Sequence, residues 1–600
     1  MAESKNEQRQ VFHFSPRPNR AHEIDWQEWG PEPFEQARAA NKPVLLSLSA
    51  VWCHWCHVMD ETSYSDERVI NYINQHYIPV RVDNDQRPDI NARYNMGGWP
   101  TTAFLTPDGE ALSGSTYVPP EQMLELLPKV WVYYQSNKDE VAQKVAELRD
   151  RRLQAMSGQP TSEVTDEVYD TVLKAVGDQY DPVHGGFGDA PKFPHSDAID
   201  LLLYAHRKTG DPDVLHMARK TLESMARGGV YDQEWGGFFR YSTERDWSVP
   251  HFEKMMEDNA ALLKGLLALY RITGVEEHAD VARSTIDYIE SKLRDPEKGF
   301  FYGSQDADEE FYALSKAERE GKEEPYIDHT CYTSWNAMAA SAYLEASWTL
   351  DRPDLRDAAV QALTFLWDDC HELGQGMYRF HDGNSAQTLG LLGDQAYTAR
   401  AMLDAYEVTG DPVYLGRAEE LAALLQERFL DPDGDKGFFD VWDEPSPVAR
   451  LSERQKSLQD NAVCADVFQR LHHLTRNDRY GEIAKSTLES FSASVPHSGH
   501  FAAAFARQAD TLLNPPAEVN IVGDPESVAD LHRAALALDV PARSVQIISP
   551  SDGERLEMLV LPAEPAPVAY ACYGTMCSPP LTEPEALLAS VKTMAEVAKS

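Results

Sequence analysis

The first quarter of the chain alternates short apolar runs with turn residues, which is typical of a small sheet covered by helices. Apolar runs at residues 44–51, 77–83 and 101–105 each have the length of one buried strand. Residues 106–110, Thr-Pro-Asp-Gly-Glu, have the composition of a hairpin turn. The pattern therefore predicts an α/β domain over residues 20–150.

From residue 160 onward the pattern changes to long amphipathic helices that repeat. Helix-ending turns recur at Thr209, Thr273, Thr349, Thr409 and Thr475, 60 to 76 residues apart. A glycine followed by an aromatic residue recurs between the helix pairs, at Gly186-Phe187, Gly237-Phe238, Gly299-Phe300, Gly376-Met377-Tyr378, Gly437-Phe438 and Gly499-His500-Phe501. Periods this long are typical of helical arrays. Six such elements among about twelve helices predict a closed (α/α)6 barrel over residues 160–515, with an open solenoid as the alternative.

The two ends of the chain differ from both patterns. Residues 1–19 show no periodicity and are expected to form a tail. Residues 518–524, 544–548 and 567–572 have the composition of short strands, and helical segments lie between and after them. We therefore predict a small α/β module over residues 516–600. The whole chain is multidomain: an N-terminal α/β domain, a central all-α barrel and this module.

The net charge and the hydropathy of the chain limit which partners and which cellular compartment are expected. The 600 residues carry a net charge of −42, which argues against nucleic acid or an anionic membrane as the main partner. No run approaches 18 apolar residues, and the N-terminus has no apolar signal region. We expect a cytoplasmic protein. No cofactor and no metal are expected.

Residues 53–56, Cys-His-Trp-Cys, carry the clearest chemistry of the sequence. They follow the first predicted strand and open a helix, where unpaired N–H groups and the helix dipole favour a thiolate. Cys53 is predicted to be the nucleophile and Cys56 the resolving thiol. Pro100, before another predicted strand, is a candidate cis-proline. The residues expected to support this redox site are Trp52, His54, Trp55, His57, Trp99 and Pro100.

Other interpretations of the cysteines remain open. Cys53, Cys56 and His57 also match a c-type haem attachment pattern. A metal is possible if further ligands come from elsewhere in the chain, and so is a purely structural cysteine pair. A second close pair, Cys572 and Cys577, is expected to be structural.

The loops between the helix pairs are rich in carboxylates, histidines and tryptophans. Such residues can transfer protons and stack on sugar rings. His251 and Glu253 crowd one non-periodic loop and are predicted to be catalytic. The predicted barrel pocket contains Lys192, His195, Asp232, Trp235, Lys254, Asp306, Asp308, Trp335 and Asn336. The alternative is structural: Asp258, Asp394 and Asp460 stand where helix caps belong.

Residues 52–59, 97–101 and 249–255 form specific motifs, and further matching residues reach Cys572 and Cys577. Together these motifs resemble the spermatogenesis-associated thioredoxin-domain family. The resemblance implies a thioredoxin-like domain fused to a six-hairpin helical barrel similar to that of N-acylglucosamine 2-epimerase, and it implies no particular reaction. Relative to thioredoxin itself, Ser47 replaces a buried aspartate and His54-Trp55 replaces Gly-Pro.

Three classes of function follow from these observations. The first is a thiol–disulfide oxidoreductase whose barrel binds a substrate or partner, with a disulfide partner still unknown. The second is a carbohydrate-active isomerase, epimerase or hydrolase acting in the barrel on a small-molecule sugar. The third is a non-catalytic binding or folding-assistance protein.

Overall fold

The structure is a computed structural model that describes residues 12–157, 161–433, 436–444, 446–562 and 565–598. Residues 1–11 of the predicted tail lie outside the described residues. The described chain divides into two compact units. The first contains the residues before Gly158 together with Gln305–Asp308 and Val441–Gln455, and the second contains the remainder.

The first unit is built on a four-stranded sheet. Its strands are β1 (Val44–Ser49), β2 (Ile78–Asp83), β3 (Thr101–Leu105) and β4 (Ala111–Ser115), in the order β2-β1-β3-β4. The pair β1–β2 is parallel, and β3 runs antiparallel to both of its neighbours. All six residues of β1 are buried, as expected for a central strand covered on both faces. The strand order confirms the predicted thioredoxin-like domain.

Six helices accompany this sheet: α1 (Pro31–Ala40), α2 (His54–Glu61), α3 (Glu67–His76), α4 (Pro88–Tyr94), α5 (Pro120–Ser136) and α6 (Lys138–Ser157). The later segment Val441–Gln455 is held in the same unit by Arg93 on α4. The Arg93 guanidinium donates to the carbonyl oxygens of Arg450 and Glu453, each at 2.9 Å. These bonds satisfy backbone acceptors of that segment.

Among the residues that the structure describes, twelve helices form the barrel. They are α7 (Asp166–Gln179), α8 (Ser196–Thr209), α9 (Pro212–Arg227), α10 (Met256–Thr273), α11 (Glu276–Lys292), α12 (Thr333–Thr349), α13 (Pro353–Asp369), α14 (Leu392–Thr409), α15 (Pro412–Arg428), α16 (Leu458–Thr475), α17 (Asp478–Ser492) and α18 (Ala503–Leu513). The inner helices α8, α10, α12, α14, α16 and α18 pack in that order, and α18 returns to α8. The ring is closed, so the (α/α)6 prediction is confirmed and the open solenoid is wrong.

Short elements connect the barrel helices. Two single-turn helices lie at Glu309–Tyr312 and Lys316–Arg319. Two-residue strands lie at Tyr241–Ser242, Pro250–His251, Lys254–Met255, Ser304–Gln305, Ile327–Asp328, Cys331–Tyr332, His371–Glu372, Gly376–Met377, Phe380–His381 and Ala386–Gln387.

A side-chain amide holds each of four glycine–aromatic hairpins. The amide is the fourth residue of an inner helix, as in Asn336 of α12. Its oxygen accepts from the N–H of Phe301 at 2.6 Å, and its nitrogen donates to the Phe301 carbonyl at 2.8 Å. The equivalent pairs are Asn259 with Phe238, Gln395 with Met377, and Asn461 with Phe438. This repeated contact explains why the glycine–aromatic sequence recurs with the helices.

The C-terminal module has the same strand order as the first unit. Its strands are β5 (Ala517–Val522), β6 (Arg543–Ile548), β7 (Val568–Tyr573) and β8 (Met576–Cys577), in the order β6-β5-β7-β8. Again the first two strands are parallel, and the third is antiparallel to both of its neighbours. Helices α19 (Ala529–Leu536), α20 (Gly553–Met558) and α21 (Pro584–Ala598) complete it. The module thus repeats the thioredoxin-like connectivity, with a Gly-Asp-Pro sequence at 523–525 after β5 in place of a C-x-x-C.

Among the described residues, none of the helices combines the length and the apolar composition needed to cross a bilayer.

Candidate redox site and barrel pocket

Cys53 and Cys56 form a disulfide at the start of α2. Cys53 is the N-cap residue, and its sulfur accepts a hydrogen bond from the backbone N–H of Cys56 at 3.2 Å. β1 ends four residues earlier, so the sheet fixes where α2 begins. A cap sulfur in this position faces the positive end of the helix dipole, which favours its thiolate form.

Tryptophans are the sequence neighbours of both cysteines, Trp52 before Cys53 and Trp55 before Cys56. The Trp52 indole donates to Asp85 Oδ2 at 2.6 Å, and its ring meets that of Trp99 edge-to-face at 5.8 Å. The Trp99–Pro100 peptide is cis, as predicted. Because Thr101 pairs with Leu48 near the end of β1, Pro100 lies at the sheet edge from which α2 starts. Trp55 is 46% exposed, and its ring contacts that of Tyr117 at 5.2 Å.

His57 lies one turn beyond Cys53 and is buried. Burial lowers the pKa of His57 to about 4, so the imidazole is uncharged at neutral pH. Its Nδ1 lies 3.5 Å from Oδ2 of Asp306. The His13 ring lies 5.9 Å away between centroids, and burial likewise lowers the pKa of His13 to about 4. Asp306 was predicted in the barrel pocket, but the structure places it and Asp308 in the first unit.

A buried ion pair lies next to the histidines, and sequence reasoning missed it. The Arg81 guanidinium on β2 binds the Asp60 carboxylate on α2 in a bidentate arrangement, at 2.8 and 2.9 Å. Both side chains are almost completely buried. Arg81 also lies over the Phe14 ring at 4.7 Å. The available signal was an arginine within an otherwise apolar strand. The pair ties α2 to the sheet and thereby fixes the helix that carries the cysteines.

Several predicted pocket residues are instead joined in buried structural contacts. Lys192 binds Asp181 at 2.7 Å, and Lys254 binds Asp232 at the same distance. Burial lowers the pKa of Lys254 to about 8, although Asp232 beside it favours the charged form. Arg319 completes the second cluster by donating to Asp232 at 2.8 Å. These charges satisfy one another inside the protein.

The predicted tryptophans and Asn336 also lie in packed positions. Trp335 is buried and contacts the Tyr332 ring at 4.5 Å between centroids. Trp235 lies against the cations of Lys292 and Arg319, at 4.2 and 5.1 Å. Asn336 holds the Phe301 hairpin described above. In these positions the three side chains support the loops of the barrel.

His251 and Glu253 form a close pair. His251 Nδ1 lies 2.5 Å from Glu253 Oε2, and the Glu253 side chain is 1% exposed. The His251 ring stacks on Tyr241 at 4.9 Å, and Tyr241 stacks on Phe193 at 4.7 Å. Because Phe193 lines the barrel pocket, this stack extends from the predicted catalytic pair to the pocket wall.

The pocket itself lies at the N-terminal ends of the inner helices. Its volume is about 260 Å³, and its polar lining includes His195, Asp197, Asp258, Gln459 and His500. Of the predicted pocket residues, only His195 is among the residues that line it. His195 contacts the His500 ring edge-to-face at 4.7 Å, and burial lowers the pKa of His195 to about 4.

Two carboxyl groups of this pocket have pKa values above their ordinary values. Burial raises the pKa of Asp258 to about 6, and the nearby Glu253 carboxylate adds to the increase. Burial also raises the pKa of Asp197, with Asp200 adding like-charge repulsion. The pocket therefore combines uncharged imidazoles with carboxyls that gain protons readily, which is a combination suited to proton transfer. Across the described residues, His, Cys, Asp and Glu side chains form no group of three or more that could hold a metal ion.

Two family matches divide the chain where the fold does. Residues 16–153 match the Thioredox_DsbH family, described as "Protein of unknown function, DUF255". Residues 195–331 match the N-acylglucosamine 2-epimerase (GlcNAc 2-epimerase) family. The first match covers the C-x-x-C domain, and the second covers part of the barrel.

Whole-chain relatives give the same result. The chain is 26% identical to Spermatogenesis-associated protein 20 of Homo sapiens, over 94% of this chain and 89% of that protein. The resemblance seen in the motifs is confirmed. Spermatogenesis-associated protein 20 of Rattus norvegicus is also 26% identical, over 94% and 88% of the two chains. A shorter match, 27% identical over 15% of this chain and 17% of that protein, is to thiol:disulfide interchange protein DsbD of Campylobacter jejuni.

Solved structures similar to the chain include sugar-converting enzymes. Cellobiose 2-epimerase from Spirochaeta thermophila is 19% identical, with a TM-score of 0.46, over 61% of this chain and 98% of that one. A D-mannose isomerase is 12% identical, with a TM-score of 0.46, over 58% and 98% of the two chains.

Proposed function

We propose that this protein is a thiol–disulfide oxidoreductase that uses Cys53 and Cys56. The observation that supports the proposal most directly is the position of Cys53 as the cap of α2, with its sulfur bonded to the N–H of Cys56. The same N–H and the helix dipole would stabilise a Cys53 thiolate after reduction. The disulfide in the structure corresponds to the oxidised form.

The proposed exchange balances in two steps. The Cys53 thiolate attacks one sulfur of a partner disulfide, forms a mixed disulfide and releases the other sulfur as a thiolate. The Cys56 thiolate then attacks Cys53 Sγ, which releases the second partner thiol and forms the Cys53–Cys56 disulfide. The partner gains two electrons and two protons. A dithiol donor returns the protein to its reduced form.

His57 has a limited electrostatic role in this proposal. Its pKa is lowered to about 4, so it carries no positive charge at neutral pH that could stabilise a thiolate. Stabilisation of the Cys53 thiolate therefore rests on the start of α2 rather than on His57. The exposed Trp55 and the Trp99–Pro100 loop would form the surface on which an extended disulfide-bearing segment docks.

The test is reduction of a protein disulfide such as that of insulin, with dithiothreitol as electron donor. We expect the full-length chain to accelerate the reaction and Cys53→Ser to abolish the acceleration. Cys56→Ser should accumulate a mixed disulfide that is visible on a non-reducing gel. Cys370→Ser, at a buried free cysteine of the barrel, is the matched control and should retain activity. Equal activity of Cys53→Ser and the parent chain would refute the proposal.

We also propose a second activity, the isomerisation or epimerisation of a sugar in the barrel pocket. The supporting observation is the convergence of His195, His500 and Asp258 on one cavity, with the raised pKa of Asp258. Sugar turnover measured by NMR over a panel of mono- and disaccharides tests it. Asp258→Asn and His195→Ala should each lower turnover by about 100-fold or more, whereas Cys53→Ser should leave it intact. Turnover that neither pocket substitution lowers would refute this proposal.

A further inference from the structure

A second cavity lies inside the barrel, away from the pocket described above. Its volume is about 210 Å³, and all six inner helices contribute to its wall. The contributing residues lie in the middle and C-terminal parts of these helices, as with Lys264 of α10 and Arg400 of α14. Residues 540–544, which lead into β6 of the C-terminal module, form another part of the wall. The module therefore completes the cavity.

The lining has an excess of positive charge. It includes seven arginine and lysine side chains and five carboxylates, with one histidine in addition. The chain as a whole carries a net charge of −42. A local positive excess inside so acidic a protein is a specific feature and does not follow from composition.

Ion pairs account for only part of these cations. Arg271 binds Glu345 at 2.8 Å, Arg470 binds Asp404 at 2.7 Å, and Arg507 binds Asp200 at 2.6 Å. In the described part of the chain, the side chains of Lys264, Arg400 and Arg543 have neither a hydrogen bond nor a carboxylate oxygen within 4.0 Å. The guanidinium groups of Arg400 and Arg543 lie over the rings of Tyr397 and Trp348, at 4.7 and 5.1 Å, which leaves their N–H donors without an acceptor. The Nε atoms of Arg400 and Arg543 are buried without an acceptor. Such donors are costly to bury unless something accepts from them.

The carbonyl ends of helices do not stabilise the positive charges of these three side chains either. Cations in the last turn of a helix are stabilised by its carbonyl groups, and this effect fades within one turn. Lys264 and Arg400 lie in the middle of their helices, and Arg543 begins a strand. Burial and the neighbouring Arg271 lower the pKa of Arg543 to about 10, although Glu407 and Glu345 act in the opposite direction.

We propose that this second cavity binds one small oxyanion, with Arg543 of the C-terminal module and Lys264 of the barrel as its main cationic contacts. Phosphate and carboxylate groups match guanidinium donors in geometry and charge. The cavity is smaller than the 300–1,000 Å³ typical of drug-sized ligand sites, so inorganic phosphate or a short dicarboxylate suits it better than a nucleotide. This inference is independent of the Cys53 chemistry and of the sugar pocket.

The test is isothermal titration calorimetry of the full-length chain with inorganic phosphate, and separately with malonate, at constant ionic strength set by chloride. We expect saturable binding of one anion per chain. Arg543→Gln and Lys264→Gln should each weaken the affinity by about tenfold or more. Arg533→Gln, at an exposed arginine of the same module, is the matched control and should leave the affinity unchanged.

Phosphate and malonate distinguish a site for a phosphate group from a site for carboxylate groups. Binding of phosphate or of malonate that depends on both cations supports the proposal and identifies the anion class. Absence of saturable binding by both ligands, or equal affinities in all variants, overturns it. If Arg543→Gln does not fold, the comparison of Lys264→Gln with Arg533→Gln still decides the outcome.

Discussion

His57 and Asp306 face each other, with Nδ1 of the histidine 3.5 Å from Oδ2 of the aspartate. Both side chains are nearly inaccessible to water. The carboxylate is close enough to favour a protonated imidazole, yet burial dominates and lowers the pKa of His57 to about 4. The imidazole of this pair is therefore uncharged near neutral pH.

This balance predicts how stability depends on pH. The pKa of His57 is about 4 in the folded protein and near 6.5 when unfolded, so unfolding takes up a proton between these values. The associated stability is complete above pH 6.5 and is lost as the pH falls toward 4. Between pH 7 and pH 5 the loss should reach about 2 kcal/mol for this one group.

His57→Gln should remove that part of the pH dependence. Thermal unfolding of the full-length chain at pH 7 and pH 5, followed by tryptophan fluorescence, measures it. The variant should lose less thermal stability on acidification than the parent. His216→Gln, at an exposed histidine, is the control and should behave as the parent does. An equal loss in the parent and in His57→Gln would show that His57 does not titrate in this range.

The reactivity of Cys53 should depend on the helix start and not on His57. In the Cys56→Ser background, iodoacetamide should alkylate Cys53 with a midpoint below the value of about 8.5 for a free cysteine. Adding His57→Gln should leave the midpoint unchanged, because the imidazole is uncharged throughout that range. A clear rise of the midpoint in the double variant would mean that His57 is protonated when the thiolate forms.

Asn336 should be required for stability of the barrel. It is fully buried and bonds both backbone groups of Phe301. Asn336→Ala leaves an N–H and a C=O buried without partners, and it should lower the free energy of unfolding by about 3 kcal/mol. Urea denaturation monitored by circular dichroism measures this loss. Asn384→Ala, in an exposed loop, should change stability by less than about 0.5 kcal/mol.

The barrel pocket should respond to pH through Asp258. Its pKa is raised to about 6, so the group changes protonation within the physiological range. Sugar turnover in the barrel should therefore show an inflection near pH 6, and Asp258→Asn should remove it. Asp280→Asn, at an exposed position of α11, should keep the inflection. An inflection that persists in Asp258→Asn would assign the titration to another group.

Much of the fold could be predicted from the sequence because its signals are local. A strand followed by a C-x-x-C and an X-Pro strand places Cys53 at a helix start, and the observed N-cap agrees. The glycine–aromatic repeat has a local cause at four of its six occurrences, because an amide such as Asn336, the fourth residue of the following inner helix, holds the hairpin there. The strand order of the C-terminal module could not be predicted, because hydrophobic patterns identify strands but not which strands pair.

The sites were harder to predict than the elements. Crowded polar loops predict Lys254 and Asp232 in a pocket, whereas the structure pairs them inside the protein. The sequence predicts a possible helix cap at Asp258, although Asp258 lines the barrel pocket. Asp306 is predicted in the barrel pocket but lies beside His57. In each case the decisive contact joins residues far apart in the sequence, and no local pattern encodes it.

The packing of α18 against α7 has a consequence for synthesis of the chain. Among the barrel helices, α7 is synthesised first and its packing partner α18 last, with about 320 residues between them. At translation rates of about 5–20 residues per second, α7 waits roughly 15–65 s for that partner. During this time the growing array presents unpaired apolar helix faces at its two open ends. A nascent chain of this protein is therefore exposed to aggregation for longer than one whose neighbouring helices are all consecutive.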